Sequence, residues 1–181
     1  MENIIRKIST VATMSSMLIM SANAQEIRHV EKSFTVNSGA SFSIENINGS
    51  IEVKKTSGDM IKVHAEITAG NESELNRVEV LADQKGNSVD VKSEYEEKNR
   101  RHDQNSASVR YTVYLPEHVD DTEIDLVNGS LVLSDVAGKL DVDLVNGSIV
   151  AENISGNSQL NSVNGSVKVS FDSLEEVDKV D

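Results

Sequence analysis

Apolar and polar residues alternate along most of the chain, and residues 139–144 show this pattern most clearly. Leu140, Val142 and Leu144 fall on one side of an extended strand, and charged residues occupy the positions between them. A two-residue period is typical of a β-strand with one buried face. Similar stretches upstream predict strands at residues 29–36, 40–47, 50–55, 60–68, 77–82, 88–95 and 108–115. The sequence therefore predicts an all-β protein.

The last third of the chain repeats itself with an eighteen-residue period. Leu-Val-Asn-Gly-Ser-Leu at residues 126–131 recurs in closely similar form at 144–149 and 162–167, and Ile-Asn-Gly-Ser-Ile at 47–51 is an earlier copy. Asn-Gly pairs favour positive φ and tight turns. Further glycines midway between the copies give a nine-residue half-repeat. We assign a structural turn or ladder role to Asn48, Gly49, Asn128, Gly129, Gly138, Asn146, Gly147, Gly156, Asn164 and Gly165.

Coils of this length, each made of two nine-residue halves, favour a two-sided β-solenoid of the β-helix or β-roll kind. Stacked coils place like residues on like, so the asparagines would form amide ladders. The predicted buried columns contain Leu131, Ile149 and Val167 on one side and Leu126, Leu144 and Leu160 on the other. A β-sandwich or a meander of hairpins gives the same local alternation and is the alternative.

Residues 1–24 have the pattern of a secretory signal peptide. Arg6 and Lys7 precede an apolar stretch, and Ala22-Asn23-Ala24 fits the cleavage pattern, which places the cut before Gln25. The apolar stretch is short for a membrane span and is interrupted by hydroxyl residues. We therefore expect a single β-repeat domain at 25–181. Within it, 25–116 is less regular, 117–171 holds the regular repeats, and 172–181 forms a C-terminal cap or an incomplete coil.

Composition excludes several kinds of chemistry. The chain has no cysteine, which removes disulfides, thiolate metal sites, thiol nucleophiles and lipid anchoring through an N-terminal cysteine. Its formal net charge of −13 argues against binding nucleic acid or anionic lipid surfaces. We expect an exported protein that is periplasmic, secreted or at the cell surface, without a lipid anchor and with no membrane span after signal cleavage.

Four carboxylates are the candidate cation ligands. Glu123 and Asp141 align in one outward column of an 18-residue stack, and Asp125 and Asp143 align in the next. Calcium prefers clusters of oxygen ligands, so a calcium site is one interpretation, and a solubilising acidic face is the default. No other cofactor is expected. The scattered histidines form no metal motif, and no nucleophile motif is present, so we assign no catalytic residue.

Several segments together resemble a known family. The signal peptide, Ile-Asn-Gly-Ser-Ile at 47–51, the strand Val-Arg-Tyr-Thr-Val-Tyr-Leu-Pro at 109–116 and the successive Val-Asn-Gly-Ser units resemble the bacterial DUF4097 family of candidate adhesins. That family is related to the adhesin-head GIN domains. The resemblance covers most of the mature chain and implies a β-strand-repeat protein of the cell envelope.

These observations predict a non-enzymatic protein that works by surface contact. We expect an adhesin-like protein or a scaffold that contacts a protein or glycan at the envelope, and self-association through the C-terminal edge. One alternative is a polysaccharide-acting β-helix enzyme with outward acids as general acid and base. A periplasmic regulatory or envelope-stress-linked factor is the other. The basic cluster Arg100-Arg101-His102 is expected to be a solvated loop.

Overall fold

The computed structural model describes residues 25–96 and 107–171. The strands are β1 (Glu26–Thr35), β2 (Ala40–Thr56), β3 (Met60–Ala69), β4 (Val78–Lys85), β5 (Ser88–Tyr95), β6 (Ser108–Pro116), β7 (Val119–Ser134), β8 (Lys139–Ile154) and β9 (Ser158–Phe171), and a short helix, α1 (Glu72–Leu75), follows β3. The predicted signal peptide, the basic cluster at 100–102 and the C-terminal segment 172–181 lie outside the described residues. The all-β prediction is confirmed.

All the described strands belong to one mixed, open sheet. Its main path runs β1-β3-β6-β2-β7-β8-β9, with β5 joined to β2 and β4 joined to β5. The pairs β1–β3, β3–β6 and β4–β5 are antiparallel, and the pairs along β2, β7, β8 and β9 are parallel. The predicted strands at 40–47 and 50–55 are the two halves of the single strand β2.

Each long strand changes its buried face at the Asn-Gly pair. In β7, Leu126 and Leu131 are both buried, although they are five positions apart. Alternation along a straight strand would place them on opposite faces, so β7 bends between them and its two halves face each other across the core. The bend lies inside a continuous ladder, where Asn128 pairs with Asn146. The Asn-Gly pair, which the sequence predicted to form a tight turn, therefore lies at a bend inside a continuous strand, and the two facing layers also fit the β-sandwich alternative.

The parallel strands pair at the offset of the repeat. Leu131 lies beside Ile149, and Ile149 lies beside Val167. Two details differ from the predicted columns. Leu160 pairs with Val142, and Ser162 takes the place beside Leu144. Val167 is 43% exposed while Ile149 is 0% exposed, because β9 has a paired neighbour on only one side within the described residues.

The less regular part of the chain covers the other end of the stack. β5 pairs with the first half of β2 and β6 pairs with its second half, so together they form a layer equivalent to one coil. β6 also supplies Tyr111, whose hydroxyl Oη lies 2.7 Å from Ser93 Oγ of β5 in the interior. Asn46 is buried as well, and its Nδ2 donates to the carbonyl oxygen of Val109 at 3.0 Å. The core is otherwise mostly aliphatic.

Candidate functional site

A row of exposed aliphatic side chains follows the bend from coil to coil. Ile47, Val127, Val145 and Val163 are 42%, 38%, 40% and 73% exposed. Each precedes the asparagine of its repeat, so all four occupy the same position on successive coils. We call these four residues, with the asparagines that follow them, the corner surface. The sequence analysis did not identify this row. Its outward direction was predictable, because Val127 and Val145 each follow an inward leucine in an alternating strand.

The asparagines of the corner surface form a continuous chain of side-chain hydrogen bonds. Asn128 Nδ2 donates to Asn48 Oδ1 at 3.0 Å, and Asn146 Nδ2 donates to Asn128 Oδ1 at 2.9 Å. Asn164 Nδ2 donates to Asn146 Oδ1 at 3.1 Å. Each internal amide both donates and accepts, which holds its side chain in one orientation although it is exposed to solvent. The result is a fixed polar track beside the aliphatic row.

Glycine allows the coils to approach closely at both bends. A β-carbon at Gly129, Gly147 or Gly165 would lie 1.5, 1.6 or 1.7 Å from the carbonyl oxygen of the glycine in the preceding coil. At the half-repeat bend, a β-carbon at Gly156 would lie 2.3 Å from the carbonyl oxygen of Gly138. Such distances exclude any side chain. The Asn-Gly pair therefore provides a close backbone stack beneath the corner surface.

The predicted carboxylates lie together on the outer side of the first strand halves. Glu123 pairs with Asp141, and Asp125 pairs with Asp143. Glu45 of β2 pairs with Asp125 and completes a group of five, which we call the acidic face. Glu45 was missed from the sequence. The early repeat copy at 47–51 could have revealed it, because Glu45 lies three positions before Asn48, as Asp125 lies three positions before Asn128.

Electrostatic repulsion on the acidic face centres on Asp125. Partial burial is the largest cause of a raised pKa at Asp125, followed by repulsion from Glu123 and Asp143. Glu45 and Asp141 act in the same direction. The carboxylates therefore oppose one another at neutral pH, as like charges on adjacent strands do.

Neutral and basic side chains limit the acidic face at its margins. Asn161 Nδ2 donates to Asp143 Oδ1 at 2.9 Å, and Lys139 Nζ lies 3.3 Å from Asp121 Oδ1. Across residues 25–96 and 107–171, no group of three or more histidine or carboxylate side chains is arranged to hold a metal ion. Calcium binding by Glu123, Asp125, Asp141 and Asp143 stays a prediction.

In the same described ranges, no helix has the length and apolar character that crossing a bilayer requires. Neither a protein-family model nor a curated protein sequence matches the chain.

Several solved structures are similar to this chain. A candidate cell adhesion protein from Clostridium sporogenes has 9% identity and a TM-score of 0.49, with 78% of this chain and 99% of that chain covered. A candidate adhesin from Parabacteroides distasonis has 8% identity and a TM-score of 0.36, over 78% of this chain and 65% of its own. A candidate adhesin from Bacteroides fragilis has 8% identity and a TM-score of 0.27, over 79% and 97%.

Proposed function

We propose that this protein is an exported, non-enzymatic contact scaffold of the adhesin-like kind, and that it binds a protein or glycan of the cell envelope through the corner surface. The observation that carries the proposal is the aliphatic row of Ile47, Val127, Val145 and Val163, exposed at the same position of each coil. Contiguous exposed apolar surface on a soluble domain is a mark of an interaction site.

The geometry of the corner surface favours an extended partner. Successive strands of a sheet lie about 4.8 Å apart, so the row and its amide track repeat along the stack with that spacing. A repeated surface of this kind suits an extended polymer or a protein edge more than a single small molecule. The asparagine ladder supplies polar groups already held in place, so little side-chain ordering opposes binding.

The proposal also covers the architecture of the repeat region and the relationship of the chain to the DUF4097 family. Parallel in-register pairing at the repeat offset, with the buried face changing at each Asn-Gly pair, supports a two-sided solenoid as the form of the repeat region. The two segments that carry the resemblance to DUF4097 adhesins lie side by side, since Gly49 to Thr56 of β2 pair with Val109 to Pro116 of β6. The proposed distant relationship to that family rests on the sequence resemblance of these segments.

Binding assays on paired variants test the role of the corner surface. The probes are immobilised glycans and extracellular-matrix proteins, and the test variant replaces both Val127 and Val145 by lysine. The matched control replaces Val132 and Val150 by lysine, because both are partly exposed on the same two strands beyond the bend. We expect the test variant to lose about tenfold or more in affinity, as removal of a contact centre does, while the control binds like the wild type.

Equal binding by wild type, test variant and control would overturn the role of the corner surface.

A glycan-cleavage assay on the wild type and on the variant carrying Asp141→Asn and Asp143→Asn tests the proposal that the protein is not an enzyme. Cleavage by the wild type that the variant loses would contradict it. Export is tested by fractionating cells that express the tagged full-length chain, with protease added to intact cells. A product confined to the cytoplasm would contradict export.

A further inference from the structure

Within the described residues, β9 pairs with β8 alone, so its outer edge has no paired strand among them. The backbone N–H of Leu140, an inward residue of β8, donates to the carbonyl oxygen of Asn157 in the next coil at 2.9 Å. In a parallel ladder, every second residue directs both its N–H and its C=O to the same neighbouring strand. The N–H and C=O groups of the inward residues of β9, such as Leu160 and Val169, therefore point away from β8, to the open edge.

Apolar side chains are also uncovered at this edge. Val167 is 43% exposed, although Ile149, its equivalent in β8, is 0% exposed. Phe171 is 44% exposed and pairs with Ile154, which is 0% exposed. Leu160, Val167, Val169 and Phe171 are thus apolar like the core positions of β8, whereas Ser158 and Ser162 lie beside Leu140 and Leu144. One more strand would bury the apolar four.

Charge distinguishes β9 from the other two repeat strands, β7 and β8. Lys168 is the one charged residue in β9, whereas β7 and β8 carry four charged residues each. Exposed edge strands are normally protected by charges, proline or a bulge. The net charge of −13 makes most surfaces of two copies repel each other, and β9 is the one of the four long strands without a carboxylate.

We propose that β9 is a homodimer interface in which it pairs antiparallel with β9 of a second copy. The Val-Asn-Gly-Ser pattern pairs with itself in parallel in the β7–β8 and β8–β9 ladders, and the two-fold symmetry of a dimer makes the proposed pairing antiparallel. Of the described strands with this pattern, β9 is the one with a free edge, so the matching strand that another molecule can offer is its own β9. A two-fold interface of this kind uses the same patch on both copies.

Side-chain direction fixes which residues meet. With the two-fold axis at the bend, the first half of β9 lies against the second half of the other β9. Inward residues must face inward residues, so Leu160 lies opposite Val169 of the second copy and Ser162 lies opposite its Val167. On the outer side, Asn161 lies opposite Lys168 of the second copy. Two lysines therefore do not oppose each other in this register.

Sedimentation equilibrium over a range of protein concentrations tests the dimer. We expect the wild type to have twice the mass of one chain. Val167→Lys places a charge at the inward side of the edge, where the lysine can reach water in the monomer but would be buried in the dimer. Its dissociation constant should rise about 100-fold, and the control Val132→Lys, on an internal strand, should stay dimeric. A wild type that is monomeric throughout, or a Val167→Lys variant that dimerises normally, would overturn the proposal.

Disulfide trapping tests the arrangement, because the chain has no cysteine of its own. Residues opposite each other in antiparallel strands have β-carbons about 5 Å apart, within reach of a disulfide after small adjustments. Mixing Asn161→Cys with Lys168→Cys should give a linked heterodimer under mild oxidation, and each variant alone should give far less linked product. The proposed arrangement fails if the mixture is not linked, or if each variant links to itself as readily.

Discussion

Gly147 lies so close beneath Gly129 that a β-carbon at Gly147 would be 1.6 Å from the carbonyl oxygen of Gly129. One residue earlier, Asn146 Nδ2 donates to Asn128 Oδ1 at 2.9 Å. The two contacts have different roles at the bend of each coil. Glycine lets the backbones approach, and asparagine uses the short separation to link the coils by their side chains.

Gly147→Ala should destabilise the protein severely. The new methyl group would overlap backbone, and φ of 146° is unfavourable for alanine. We expect a loss of about 3 kcal/mol or more, since relief requires the two coils to separate. The matched control is Gly86→Ala, at φ 65° with nothing near the new atom, which should cost about 1 kcal/mol for the left-handed conformation alone. Urea denaturation followed by circular dichroism measures both, and equal losses would contradict close stacking at Gly147.

The asparagine ladder should contribute to stability in proportion to the bonds that each member makes. Asn146 donates to Asn128 and accepts from Asn164, whereas Asn164 is seen to make one ladder bond. Asn146→Ala should cost about 1 kcal/mol and Asn164→Ala about half of that, because exposed hydrogen bonds contribute little each. The free energies of unfolding of the two variants provide the comparison. A larger loss for Asn164→Ala would show that the ladder does not act as described.

The repeat spacing alone was sufficient to predict the pairing of the regular coils. An in-register parallel stack must repeat at the length of one coil, so the eighteen-residue separation of Asn128 and Asn146 identifies them as neighbours. The neighbour of Asn128 on its other side, Asn48, lies much further away in the sequence, because β3 to β6 intervene. Nothing in the local pattern indicates where such an inserted segment returns to the stack.

Two features of the bend and the edge could not be predicted from local pattern. Asn-Gly favours positive φ, but both a hairpin turn and a bend within a strand require it, and only the pairing of Asn128 with Asn146 decides between them. The exposure of Val167 depends on whether another strand follows β9, which is a property of the whole sheet. The acidic face was largely predictable, because Asp125 and Asp143 share the repeat spacing.

Asp125→Asn should stabilise the protein at neutral pH. The pKa of Asp125 is raised in the folded state, so folding favours the protonated carboxyl group. Stability associated with this group is then greatest below its ordinary pKa of 3.8 and is lost as pH rises through the raised value. Asp125→Asn has no carboxyl group to ionise, so its free energy of unfolding does not fall in this way as pH rises. Thermal unfolding at pH 7 and at pH 3 should show a gain for Asp125→Asn at pH 7 that disappears at pH 3.

Salt should reduce the gain from Asp125→Asn, because the opposing carboxylates of the acidic face are exposed enough to be screened. The control is Asp59→Asn, in the exposed turn before β3, which removes the same charge away from the acidic face. A gain at pH 7 that is equal for both variants would assign the effect to net charge and not to the acidic face.

The hydrogen bond between Ser93 and Tyr111 should appear as a strong coupling in a double-mutant cycle. The two hydroxyl oxygens are 2.7 Å apart in the interior, and burial raises the pKa of Tyr111, so its hydroxyl keeps its proton into the alkaline range. Tyr111→Phe leaves the serine hydroxyl without a hydrogen-bond partner and should lower the free energy of unfolding by about 2 kcal/mol, and Ser93→Ala should lower it by a similar amount. The double variant leaves neither group unpaired, so its loss should be well below the sum of the two. Denaturant unfolding of the four proteins measures the coupling, and additive losses would mean that the bond contributes nothing to the stability of the fold.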